Sequence, residues 1–139
     1  MVAYNFQKQF AEPIRLGAKT HTIRKNSRRR HARPGEKLQL YTGMRTRNCE
    51  KIIDDPTCQH SLAIAIDVGP IVIDGIVIEF GGATVQLDDL SLFATDDGFP
   101  DLLAFYQFWL DFHGEGTFNG RLISWGDFSP HRYDGRALS

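Results

Sequence analysis

The chain has 139 residues, 42% of them hydrophobic and 24% charged, with 16 Lys and Arg against 17 Asp and Glu; this is the balance of an ordinary globular protein. That length is expected to give one domain over residues 1–139, with a core that needs neither disulfides nor metals. No apolar run approaches the ~20 residues that cross a bilayer, and the first residues lack an export-signal pattern, so a soluble, cytoplasmic protein is expected.

Taken in chain order, residues 10–16 are expected to start a short helix with Pro13 in its first turn, which Gly17 ends in a left-handed conformation. Residues 20–24 are β-branched at alternate positions and read as a strand. Arg33-Pro34-Gly35-Glu36 is a turn, and the alternation over 37–42 predicts a half-buried strand. Two β-rich runs follow at 62–68 and 71–80, the second with an expected split at Asp74-Gly75, and then a short strand over 83–87. Leu90, Phe93, Leu102, Leu103, Phe105, Tyr106, Trp109 and Leu110 have helical spacing, interrupted by Asp97-Gly98-Phe99-Pro100. Residues 121–125 return to an extended run. Many short strands with late helices predict an α+β fold, a small, mainly antiparallel β-barrel with two or three helices.

The net charge of −1 conceals a polarity. Through Lys51, thirteen Lys and Arg face only Glu12, Glu36 and Glu50, whereas Arg121, Arg132 and Arg136 face fourteen acids beyond it. Such asymmetry commonly marks nucleic-acid contact, although the halves can also neutralise each other across the fold. Within the basic half, Gly17-Ala18-Lys19-Thr20-His21-Thr22-Ile23-Arg24 places an amine, two hydroxyls, an imidazole and a guanidinium on one segment beside Arg28, Arg29, Arg30 and Arg33. An anion drawn there meets a hydroxyl and an amine inside a positive field. Strand alternation puts Thr20, Thr22 and Arg24 on one face and His21 and Ile23 on the other, with Ile23 in the core. The five histidines, Cys49 and Cys58 show no paired ligand spacing, so no metal and no cofactor are expected.

The helix–glycine entry into 17–24, the Pro34-Gly35-Glu36-Lys37-Leu38-Gln39-Leu40-Tyr41 turn and strand, the Asp97-Gly98-Phe99 step and the late aromatic strand stand in an order that resembles the ASCH domain family, a PUA-like branch of small β-barrels. The resemblance spans nearly the whole chain and implies RNA or modified-nucleoside handling. Some similar proteins hydrolyse N4-acetylcytidine; others are described as cutting single-stranded RNA. The amidohydrolase-like members use a lysine after the glycine turn, a threonine three residues later and an acid before the second helical segment, which implies catalytic roles for Lys19, Thr22 and Asp97. The acid is usually glutamate, and Asp97 is one methylene shorter, with Asp96 beside it as the alternative.

A threonine hydroxyl becomes a nucleophile when a base takes its proton, and lysine can be that base only in its neutral form. Arg24 and Lys25 would depress the Lys19 pKa and a nearby carboxylate would raise it; a charged Lys19 would instead hold a phosphate or an oxyanion. Arg24 suits the grip of two oxygens, and Thr20 shares its face. Arg28, Arg29 and Arg30 are expected to hold a phosphate backbone, with Tyr41 and Phe99 as stacking surfaces for bases. A non-catalytic RNA-binding or regulatory module is the competing reading.

Overall fold

The strands form where side chains alternate or run apolar: β1 (Val2–Phe6), β2 (His21–Lys25), β3 (Leu38–Thr42), β4 (Glu50–Lys51), β5 (His60–Val68), β6 (Ile73–Phe80), β7 (Ala83–Gln86), β8 (Gly116–Ser124) and β9 (Arg136–Ala137). The helices are α1 (Ala11–Arg15), α2 (Leu90–Asp96) and α3 (Leu102–Phe112). This computed structural model describes residues 1–138, in an α+β fold whose sheets are mostly antiparallel.

One sheet has the order β1-β3-β4, with β1 parallel to β3; the other has the order β2-β8-β5-β6-β7-β9 and is antiparallel throughout. The two sheets do not close into a barrel. Strands β1 and β2 are each outer strands, hydrogen-bonded on one side only, and a seam lies between them. The core is shared by Tyr4, Phe6, Leu38 and Leu40 from the small sheet, Ile64, Ile66, Ile76, Ile78 and Leu122 from the large one, and Phe93, Phe105 and Trp109 from the helices. Burying side chains of this size contributes about 1.5–3 kcal/mol each.

Two local readings change. Strand β6 passes through Asp74-Gly75 with a bulge rather than a break, since Asp67 pairs with Gly75 and Val68 with Ile73 and Asp74 is left out of the register; the chain turns earlier, where Gly69 N–H donates to Val72 O (2.9 Å). Ile23 is only half-buried, packing on the core while also facing the cavity described below. Among the described residues no helix is long and apolar enough to cross a membrane.

Candidate functional site

Two helix ends deliver the site's charges. Helix α1 closes on Gly17 (φ +76°), whose N–H donates to Ile14 O (3.1 Å) while Ala18 N–H reaches Pro13 O (2.9 Å). Helix α2 closes the same way on Gly98 (φ +97°): Gly98 N–H donates to Thr95 O (3.0 Å) and Phe99 N–H to Ala94 O (3.1 Å). Both are Schellman ends, in which a left-handed residue lets the chain fold back over the last carbonyls. Lys19 follows the first glycine by two residues, and Asp97 immediately precedes the second.

Lys19 Nζ donates to the Asp97 backbone oxygen and to Asp97 Oδ1, each at 2.7 Å. The ammonium thus collects both the carboxylate and a carbonyl at the negative end of α2, and it lies 5.1 Å from the centre of the Phe10 ring. Lys19 is 3% exposed and Asp97 4%. Burial pushes the Lys19 pKa down, and Asp97 opposes that shift without cancelling it. Burial alone would raise the Asp97 carboxyl, but Lys19 and His21 together hold it below the usual carboxylate range. The pair is therefore a carboxylate facing an ammonium that gives up its proton more readily than a free lysine. Two of the three ammonium donors are engaged, which leaves one position for a ligand.

Thr22 and Arg24 share a face of β2, as strand alternation requires. Arg24 Nε donates to Thr22 Oγ1 (3.0 Å), and its Nη2 crosses the seam to Asn5 O on β1 (2.7 Å). Its guanidinium carbon lies 5.1 Å from the Tyr4 ring centre and 4.8 Å from that of Phe6. Burial pushes its pKa down to about 10, so it stays charged at neutral pH. With Nε–H bound to Oγ1, the threonine proton must point elsewhere, and the charge favours any negative charge that develops on that oxygen.

These side chains line a cavity of about 430 Å³ in the seam. Lys19, Thr22, Arg24 and Asp97 form its polar wall; Phe6, Phe10, Phe99, Phe108 and Phe112 form the apolar one. Its rim includes Lys25, Ser27 and His31. His31 ties the basic loop down: Nε2 donates to Lys25 O (2.9 Å), and Nδ1 accepts from the Tyr4 hydroxyl (3.0 Å).

The remaining expected residues lie elsewhere or in other roles. Thr20 faces a second cavity of about 260 Å³, with Asp96, Asp127 and Arg132. Asp96 is not at the Lys19 site; it accepts from Arg132 Nε (2.7 Å) and the Tyr133 hydroxyl (2.8 Å). Arg28 and Arg29 are exposed, whereas Arg30 is held by both Glu36 oxygens at 2.7 Å. Tyr41 is outside the first cavity, with the Lys51 amine 5.8 Å from its ring centre. Phe99 lines that cavity but also packs edge-on against Phe10 and Phe105. Sequence reasoning gave no role to Phe10, whose signal was its place at the start of the helix that Gly17 ends, nor to His21, whose Nε2 lies 3.2 Å from Asp97 Oδ1. Among the described residues no group of three His, Cys, Asp or Glu side chains forms a metal cluster.

Comparison with known proteins returns no match: no family model, curated protein or solved structure is similar to this chain.

Proposed function

We propose that this chain is an ASCH-type hydrolase that binds a modified pyrimidine nucleoside in the seam cavity and cleaves an exocyclic amide such as that of N4-acetylcytidine. The reading takes the two sheets as an open form of the PUA-like barrel. The observation that carries it is that a buried amine with a lowered pKa and a threonine hydroxyl held by arginine line the same aromatic cavity. At about 430 Å³ the space is in the range of small-molecule sites, and flat apolar walls suit a base.

In this reading the neutral Lys19 amine takes the Thr22 proton as Oγ1 attacks the acyl carbon, and Arg24 stabilises negative charge beside it. The C–N bond breaks as Lys19 passes the proton to the departing exocyclic nitrogen. Water then attacks the acyl-threonine, giving its proton to Lys19 and from there to Thr22 Oγ1, and the carboxylic acid leaves. One amide and one water become one amine and one acid. Asp97 holds the lysine amine toward the cavity.

The test is to incubate the protein with N4-acetylcytidine and follow release of cytidine and acetate. Release is expected, and Thr22→Val, which keeps the shape of the side chain without its hydroxyl, is expected to abolish it with unfolding midpoints little changed. Full turnover by Thr22→Val overturns the nucleophile assignment. The rate should rise with pH through the Lys19 pKa, below the ~10.4 of free lysine, because only the neutral amine accepts a proton.

A second reading, single-stranded RNA as the ligand, is favoured by one observation: Lys25, Arg28 and Arg29, at or near the cavity rim, pair with no carboxylate among the described residues. Labelled RNA incubated in parallel separates cleavage from binding alone.

A further inference from the structure

His21 lies outside the seam cavity but touches the Lys19–Asp97 pair, and the hydrolytic scheme gives it no task. Its side chain is 3% exposed, and its Nε2 stands 3.2 Å from Asp97 Oδ1, the oxygen that Lys19 Nζ holds at 2.7 Å. The contact is short but poorly aligned, and among the described residues Nε2 has no hydrogen-bond partner. The ring is stacked on Phe93, with centroids 5.4 Å apart and planes 21° apart, and Phe128 meets it edge-on at 5.9 Å. Aromatic packing on two sides leaves a small tilt toward Asp97 as the motion that satisfies the nitrogen.

We propose that His21 is a positioning residue for the Lys19–Asp97 pair: its Nε2–H donates to Asp97 Oδ1, fixes the carboxylate and draws charge from the oxygen that Lys19 shares. The inference rests on the hydrolytic reading for its purpose and on geometry for its existence. A carboxylate oxygen already accepting a hydrogen bond attracts the ammonium less, so the bond favours the neutral amine that serves as base. The other charges facing His21 come from the second cavity. Asp96 and Arg132 there are paired with each other (2.7 Å), and Asp127 also lines that wall. Among the described residues, Asp97 is the only acid within ion-pair distance of the ring.

Two NMR measurements test this. In the unaltered protein at neutral pH, long-range ¹⁵N–¹H correlation of the His21 ring is expected to show a proton on Nε2; a bare Nε2 overturns the proposal. Titration of ¹³Cε-labelled Lys19 is expected to move to higher pH by about one unit in His21→Leu, because Asp97 then places its full charge on the amine. His21→Gln, whose amide can still donate, should restore the titration toward its original midpoint. An unchanged Lys19 midpoint in folded His21→Leu overturns the proposal, and the unaltered protein decides the matter if that variant does not fold. Neither measurement needs turnover, so failure of amide hydrolysis and failure of the His21 role are separable. Where hydrolysis is observed, the acid limb of kcat/KM is expected to shift upward with the Lys19 midpoint in His21→Leu.

Discussion

Lys19 and Asp97 hold each other in a place where neither would stay charged alone. Removing one partner of a buried ion pair costs about 3–5 kcal/mol, because the other charge is left uncompensated, whereas replacing both can be nearly neutral. Lys19→Met is therefore expected to lower stability by about that amount at neutral pH, and adding Asp97→Asn should recover most of the loss; chemical denaturation of the four proteins in the cycle measures it. The same pair sets an acid limit. Asp97 has a depressed carboxyl pKa, so its contribution is fully present above the unfolded aspartate value of about 3.9 and is lost as pH falls through the folded value. Lys19 and Thr22 stood out in the sequence because a glycine turn feeding an amine and a hydroxyl into a strand has few structural uses. Asp97 could be placed only to within a doublet. The choice between its two acids depends on α2 ending at Asp96 with Asp97 as its cap, which directs Asp96 to Arg132 and Tyr133 and Asp97 to Lys19. Alternation placed His21 on the face away from Thr22; that the end of α2 packs there is a long-range fact with no local signal.

At the scale of elements, the two Schellman glycines are not equivalent. A Cβ on Gly17 meets nothing within 4 Å, whereas one on Gly98 would stand 2.7 Å from Phe10 Cδ1 and 3.1 Å from Lys19 Cδ. Gly17→Ala should cost only the positive-φ penalty, about 1–2 kcal/mol. Gly98→Ala adds a clash with the lysine stem and is expected to lose more stability and to impair activity as well; unfolding midpoints of the two variants, beside their turnover, give the comparison. These helix ends were legible because left-handed closure is a local property of the residues around a glycine. Strand β1 was missed despite the alternation of Val2, Tyr4 and Phe6 toward the core. Its partner β3 lies more than thirty residues away and runs parallel to it, so no turn in the sequence announces the pairing. The break expected at Asp74-Gly75 was a turn dipeptide absorbed into a ladder.

For the whole molecule, the mostly antiparallel α+β class followed from many short strands and late helices, but closure did not, since it depends on which edges remain unpaired. The basic half of the chain supplies the Lys19–Arg24 wall and an exposed loop beside the rim, and Glu36 offsets Arg30 within it. If single-stranded RNA binds here through Lys25, Arg28 and Arg29, three phosphate contacts predict a slope of log affinity against log salt of about −2, and each charge removed should lessen it by about 0.7. A flat dependence measured by fluorescence anisotropy would leave the loop without a phosphate role.

At the seam between β1 and β2, the side chains that border the opening are separate from the pairing that keeps the chain folded. Arg24 bridges the two strands, while Gln7, Lys25 and Ser27, all exposed, line the opening, and changing those three side chains leaves the backbone pairing of both sheets in place. Substitutions at these three surface positions therefore change the size and charge of the gap in the wall while Lys19, Thr22, Arg24, Asp97 and the architecture stay as they are.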